Sequence, residues 1–169
     1  MIIVARSSST LRAMKLLVLC LLLACGGNPT TTPKLVERVL VNVDEHGVAL
    51  QDQDPMSYWT THANVTGSAR YTSVWGGATY WFVSDEHRKA FDGSPEHHAP
   101  RYGGYCAYAA SQNRLSPITT DQFEIYEDHL LLFTNADYKQ RFDAARAEAF
   151  AKAEANWPLL LAAHGKSAR

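Results

Sequence analysis

The chain has 169 residues, of which 46% are hydrophobic and 20% charged, a composition typical of one soluble globular domain and not of a disordered or collagen-like chain. Its 16 Lys and Arg residues against 17 Asp and Glu residues give a formal net charge of -1. The chain therefore lacks the basic excess of nucleic-acid-binding proteins, and nucleic acid is not an expected partner. Three cysteines are too few for a disulfide framework.

The N-terminal segment has the layout of an export signal. Residues 1-24 contain three basic residues and no acidic one, and end in the apolar run 16-24. This run is about half of the roughly 20 residues that a transmembrane helix needs, so we interpret residues 1-24 as a signal peptide.

Residues 22-25 (Leu-Leu-Ala-Cys) are similar to the bacterial lipobox. The resemblance implies that Cys25 is diacylated after cleavage, with residues 25-34 as a flexible tether and the membrane as a partner through the lipid. Gly26 after the cysteine is the pattern that implies the outer membrane, facing the periplasm. The alternative is an ordinary signal peptide in which Cys25 occurs by chance.

The rest of the chain, residues 35-169, is predicted to fold as one α+β domain in which antiparallel hairpins pack with a short helix and a long C-terminal helix. No internal repeat is predicted. In chain order, we expect strands at 34-43 and 48-50, a turn at 54-55, a hairpin of 69-75 and 78-83, a short helix from 85 to 91, a loop-rich stretch at 94-117, a hairpin of 123-126 and 129-133, and a helix from about 136 to 156.

Local signals support these elements. Gly76-Gly77 suits the tight turn of a hairpin, since glycine adopts positive φ at little cost. Ser84, and Thr134 or Asn135, are the candidate helix N-caps. Apolar residues spaced along one face from Tyr138 to Ala153 predict a continuous long helix. Trp157-Pro158 is expected to end it.

A set of residues distributed over the predicted domain resembles the YHS-domain family, as found in exported bacterial proteins. These residues are Ala49-Leu50, Asp54-Pro55, Tyr58, Gly67, Gly77-Ala78, Tyr80, Phe82, Phe91, Pro95, Pro100, the run Tyr-Gly-Gly-Tyr-Cys-Ala at 102-107, and Ala-Asn-Trp-Pro at 155-158. The resemblance covers roughly residues 48-158. It implies a metal-associated role, because related small YHS and TRASH-type domains hold heavy metals with cysteines.

Most of those cysteines are absent here. Cysteine-rich relatives read Asp-Pro-Val-Cys where this chain has 54-57 (Asp-Pro-Met-Ser), and Phe-Cys-Ser-x-x-Cys where it has 82-87 (Phe-Val-Ser-Asp-Glu-His). Structural zinc needs four N or S ligands, whereas Cu(I) accepts fewer. The resemblance therefore leaves Cys106, His87 and Met56 as candidate ligands for copper or zinc.

A ligand pocket is predicted around Cys106, because paired glycines allow the backbone to approach a bound group closely. The alternative is a buried cysteine that only packs. His97 and His98 are not expected to chelate one ion together, since neighbours in sequence rarely do so. The resemblance implies that His98, where the family usually has tyrosine, is a packed aromatic residue. The predicted pocket residues are Tyr102, Gly103, Gly104, Tyr105 and Tyr58.

The predicted function is that of a non-enzymatic, membrane-anchored lipoprotein of the bacterial envelope, with copper or zinc as the candidate ligand. The sequence contains no Gly-x-Ser-x-Gly, His-Glu-x-x-His or P-loop motif. Two alternatives stay open. One is a thiol-redox or cysteine-nucleophile enzyme that uses Cys106, and the other is a protein-interaction module with Trp59, Trp75 or Trp81 in an exposed patch.

Overall fold

The computed structural model describes residues 38-167, so the predicted signal peptide, Cys25 and the tether lie outside the described residues. The predicted α+β class is confirmed. The strands are β1 Arg38–Val39, β2 Ser68–Trp75, β3 Ala78–Phe82, β4 Thr119–Tyr126, β5 His129–Phe133 and β6 Lys166–Ser167; the helices are α1 Pro55–Thr60, α2 Asp85–Gly93, α3 Pro95–His98, α4 Ala107–Ser111, α5 Ala136–Ala144 and α6 Arg146–His164. Two short 3-10 helices cover Leu50–Asp52 and Arg101–Gly104.

The described strands form three two-stranded antiparallel sheets, β1-β6, β2-β3 and β4-β5. Both predicted hairpins are confirmed, and the second begins earlier than expected, at Thr119. The first turns at Gly76 and Gly77, whose φ values of 60° and 79° explain why glycine is suited there. The second turns at Glu127 and Asp128 with φ of 47° and 60°.

The domain contains an internal repeat, contrary to the prediction from sequence. Each hairpin is followed by a helix of nine residues, and the elements β4, β5 and α5 begin 51 residues after β2, β3 and α2. The strand pairing is repeated too: Thr72 pairs with Trp81, and 51 residues later Phe123 pairs with Leu132. Both long strands carry a register irregularity at the same place.

We call the two copies of the repeat the first unit, residues 50-93, and the second unit, residues 102-144. Equivalent side chains make the same contacts in both. Phe82 and Phe91 lie 5.2 Å apart between ring centroids in the first unit, and Phe133 and Phe142 lie 5.2 Å apart in the second. All four are fully buried, and burying a phenylalanine side chain contributes about 1.5–3 kcal/mol. Few other side chains are shared, which is why the repeat escapes detection in the sequence.

Each unit also begins with the same backbone arrangement. Three successive residues with positive φ, either 50-52 or 102-104, lead into a short helix, α1 or α4. In the first unit these residues are not glycines, so the left-handed conformation is imposed on ordinary side chains.

The C-terminal region differs from the predicted single helix. Ala145 adopts φ -141° and ψ 44°, which breaks the chain into α5 and α6. The apolar stripe continues across this break, so periodicity alone does not reveal it. Pro158 lies inside α6 and does not end it, so the prediction that Trp157-Pro158 ends the helix was wrong.

Three further helices were not predicted. The expected turn at 54-55 is the start of α1, with Pro55 at the first helical position, where its missing N–H costs nothing. The stretch predicted as loop contains α3 and α4. Of the predicted strands at 34-43 and 48-50, residues 34-37 lie outside the described residues, and the rest are reduced to β1 and isolated bridges at Val43, Val48 and Ala49.

Gly103 provides a test of how tightly the chain packs around the repeat. A Cβ at Gly103 would stand 1.9 Å from the Leu40 backbone oxygen, whereas one at Gly47 would meet nothing within 4 Å. Both glycines have positive φ. Gly47→Ala should therefore cost about 1 kcal/mol from backbone strain, and Gly103→Ala should cost clearly more, above about 3 kcal/mol.

Urea unfolding of the two variants, followed by circular dichroism, measures the difference. Equal losses of stability would mean that residues 40-42 do not pack against Gly103 as described.

Candidate functional site

A buried carboxylate joins three elements of the first unit. The Asp54 side chain is 0% exposed. Its Oδ1 accepts a hydrogen bond from the Met56 N–H at 2.7 Å, capping α1, and its Oδ2 accepts one from the Val83 N–H at 2.9 Å, just after β3. Buried carboxylates need such partners, because desolvation of an unpaired charge is costly.

His87 is the third partner of Asp54. It lies in the first turn of α2, whose N-cap Ser84 accepts a hydrogen bond from the His87 N–H at 3.2 Å. The His87 ring places Nδ1 2.6 Å from Asp54 Oδ2, and its side chain is 25% exposed. Since a carboxylate can only accept, Nδ1 carries the proton and donates it, which leaves Nε2 as the nitrogen free of this pair.

The three predicted metal ligands do not form one ligand set. Met56 and His87 both contact Asp54, but Met56 does so through its backbone N–H, and its side chain is buried. Cys106 is 0% exposed and adjoins the second unit, where it bridges Leu132 of β5. Within residues 38-167, no three His, Cys, Asp or Glu side chains lie close enough to surround one metal ion.

The repeat explains where Cys106 lies. Cys106 immediately precedes α4, as Asp54 immediately precedes α1. Tyr138, the counterpart of His87, packs edge to face on Tyr108 at 5.1 Å. At the positions that hold the Asp54–His87 pair in the first unit, the second unit thus has a small thiol and an aromatic pair. Free cysteine suits such a site because it packs as a small apolar residue.

The predicted pocket residues divide between a cavity and the core. Tyr102 and Gly103 line a cavity of about 310 Å³ together with Trp75, Trp157 and Leu40. The space left by the missing side chain of Gly103 is filled by the chain itself. The Gly103 carbonyl accepts a hydrogen bond from the Asn42 N–H at 2.8 Å.

The other predicted pocket residues have structural contacts. The Gly104 carbonyl accepts from Asn42 Nδ2 at 3.1 Å. The Tyr58 side chain is fully buried, donates from its hydroxyl to the Thr120 carbonyl at 3.0 Å and packs against Phe123. Burial, with Asp121 nearby, raises the Tyr58 pKa. Burial also raises the pKa of Tyr105.

A charged network adjoins the cavity, since Arg101 and Tyr102 line it. Glu154 of α6 accepts from Arg101 Nε at 2.9 Å and from the Tyr102 hydroxyl at 3.0 Å. The Arg101 hydrogen bonds lower the Glu154 pKa, and burial followed by the Glu154 charge raises the Tyr102 pKa. Since Arg101 is paired, its charge is largely compensated.

A second cavity, of about 500 Å³, adjoins the first and shares Trp75, Glu96, His97, Arg101 and His129 with it. We call the two together the α3 cleft. Sequence reasoning missed His97 and His129 as cleft residues, because they are 32 positions apart and become neighbours only through the approach of α3 to the second hairpin turn. The sequence signal that points to this site is the turn of the second hairpin, in which Asp128 directly precedes His129.

The His98 side chain does not line the α3 cleft and packs into the protein instead. Its carbonyl accepts from Trp59 Nε1 at 3.2 Å, whereas its buried Nδ1 has no hydrogen-bond partner among the described residues. Burial, then the neighbouring His97, lowers the His98 pKa. The interpretation of His98 as a packing residue agrees with these contacts.

Comparison with protein-family models, curated proteins and solved structures gave no match for this chain. Among the helices within residues 38-167, none combines the length and apolarity that a membrane span requires.

Replacing the buried carboxylate should weaken the fold strongly. Asp54→Asn turns one acceptor into a donor that faces N–H groups, so we expect a loss of about 3 kcal/mol in the free energy of unfolding. Asp44→Asn is the matched control, since Asp44 also accepts from two backbone N–H groups, those of His46 and Val48, but is exposed. Its loss should be much smaller; equal losses in urea unfolding would contradict the role assigned to Asp54.

His98 should make the domain less stable in mild acid. Its pKa is lower in the folded chain than its ordinary value of about 6.5, so unfolding takes up a proton. The His98 contribution is complete above pH 6.5 and declines as the pH falls below that value towards the lowered pKa.

In urea unfolding between pH 7.5 and 5, His98→Gln should show a shallower decline in stability than the wild type. The exposed His46→Gln is the control and should keep the wild-type decline. An unchanged slope in His98→Gln would refute the assignment.

Proposed function

We propose that this chain is a non-enzymatic, YHS-type lipoprotein of the bacterial envelope, anchored by acylated Cys25, that binds a copper or zinc ion through histidine. The lipobox resemblance of residues 22-25 supports the anchor, because two acyl chains hold a protein on a membrane far better than one. The resemblance of residues 48-158 to YHS domains supports the metal.

One observation carries the choice of histidine over cysteine. The imidazoles of His87 and His129 have Nδ1 held by an oxygen acceptor, Asp54 Oδ2 at 2.6 Å and the Asp128 carbonyl at 2.8 Å. Metal-binding histidines in proteins usually have this arrangement, in which the acceptor fixes the ring and leaves Nε2 for the ion. Cys106, in contrast, is fully buried.

The same burial weakens the case for a thiol enzyme. A nucleophilic or redox-active cysteine needs access to its substrate and a group that stabilises the thiolate. Cys106 has no exposed surface. The interaction-module alternative also has little support, because Trp59, Trp75 and Trp81 are each partly buried.

The full chain, purified in detergent, should bind one Zn(II) or Cu(II) ion, and Cys106→Ala should bind it equally well. Calorimetric titration and metal analysis after gel filtration measure both. Cu(I), which prefers thiolate and thioether ligands, should bind more weakly than Cu(II).

The Cys25→Ser chain separates anchor from binding. It should leave the membrane fraction of expressing cells and keep its metal affinity. Absence of Zn(II) and Cu(II) binding from the wild type would refute the metal function, and loss of binding in a folded Cys106→Ala would return the site to the thiol.

A further inference from the structure

We propose that the α3 cleft is a divalent-metal site in which His97 and His129 each bind the ion through Nε2 while Asp128 holds both rings. The inference rests on the proposed metal function and assigns it to particular residues. Both histidines line the same two adjoining cavities, although one belongs to α3 and the other opens β5.

Asp128 lies on the Nδ1 side of both rings and fixes the tautomer of His129. His129 Nδ1 lies 2.8 Å from the Asp128 carbonyl oxygen, which can only accept, so the neutral ring is protonated at Nδ1 and has its lone pair at Nε2. His97 Nδ1 lies 3.3 Å from Asp128 Oδ2. One residue thus engages the Nδ1 side of both rings, as outer-shell carboxylates and carbonyls do in known metal sites.

The rings are also held by packing. His97 stacks on Trp59 with centroids 4.7 Å apart and an interplanar angle of 31°, and His129 lies 5.8 Å from Phe150. Rings that are fixed before binding lose less freedom when the ion arrives.

The charges around the cleft tolerate a cation. Glu96 and Asp128 line it, and the Arg101 guanidinium is bonded to both Glu154 carboxylate oxygens at 2.9 and 2.5 Å. Two imidazole nitrogens favour Zn(II), Cu(II) or Ni(II) over Mg(II) or Ca(II). Because residues 38-167 contain no group of three such ligands, water or an external donor completes the coordination, so the site is open to a further ligand.

Titration of the full chain and its variants with Zn(II) and Cu(II) tests the site. His97→Ala and His129→Ala should each weaken binding by about ten-fold or more, and Asp128→Asn, which keeps the backbone carbonyl, by less. His46→Ala and His164→Ala, at exposed histidines outside the cleft, are the controls and should bind as the wild type does. Cu(II) should also quench tryptophan fluorescence, since Trp75 lines the cleft.

A second measurement does not depend on the variants' folding. In the wild type, Zn(II) should shift the imidazole Nε2 resonances of His97 and His129 and leave those of His87 unchanged. Wild-type affinity in both single variants, or Zn(II) shifts at His87 alone, would overturn this site and leave the proposed metal function standing. Absence of any Zn(II) or Cu(II) binding by the wild type would overturn both.

Discussion

The Asp54 carboxylate is the contact on which the first unit depends. It is fully buried, yet it satisfies the start of α1, the residue after β3 and the ring of His87 at once. An apolar side chain accepts no hydrogen bond, so with one at this position the backbone N–H groups of Met56 and Val83 would be buried without partners. The carboxylate therefore fixes the relative positions of α1, the hairpin and α2. Because α3 directly follows α2, the place of α3 at the cleft depends on them too.

The second unit reaches the same architecture by a different means. At the positions equivalent to Asp54 and His87 it has Cys106 and Tyr138, and the link is made by packing and by the bridge from Cys106 to Leu132. The C-terminal helix α6 then covers this unit: Asn156 donates from Nδ2 to the Ala110 and Ser111 carbonyls at 3.0 and 3.1 Å. A polar residue on α6 thus supplies a donor to the Ser111 carbonyl at the C-terminal end of α4 and a second donor to the Ala110 carbonyl, which also accepts from the Asn113 N–H.

The contrast shows what sequence can and cannot predict here. Local chemistry was enough for both hairpins and for the Ser84 cap, and it limited the cap of α5 to Thr134 or Asn135, of which Asn135 is the cap, since turns and caps are encoded by neighbouring residues. The Asp54–His87 pair spans 33 residues, and its formation depends on tertiary packing. The break at Ala145 interrupts no sequence pattern, and Pro158 is tolerated in α6 although proline usually disrupts helix interiors. The repeat was missed because its two copies share geometry and a phenylalanine pair more than they share sequence.

The repeat also bears on where the proposed metal site lies in a chain with a single cysteine in its described part. Asp54 occupies the buried position in front of α1, so that unit has a carboxylate where the other has Cys106, and neither position is open to solvent. The open position lies between the units, where α3, which follows the first, meets the hairpin turn of the second. A pocket formed at such a junction draws its ligands from both units. His97 and His129 meet that description, and a change in either unit that moved α3 relative to the turn at Asp128 would separate them without touching either ring.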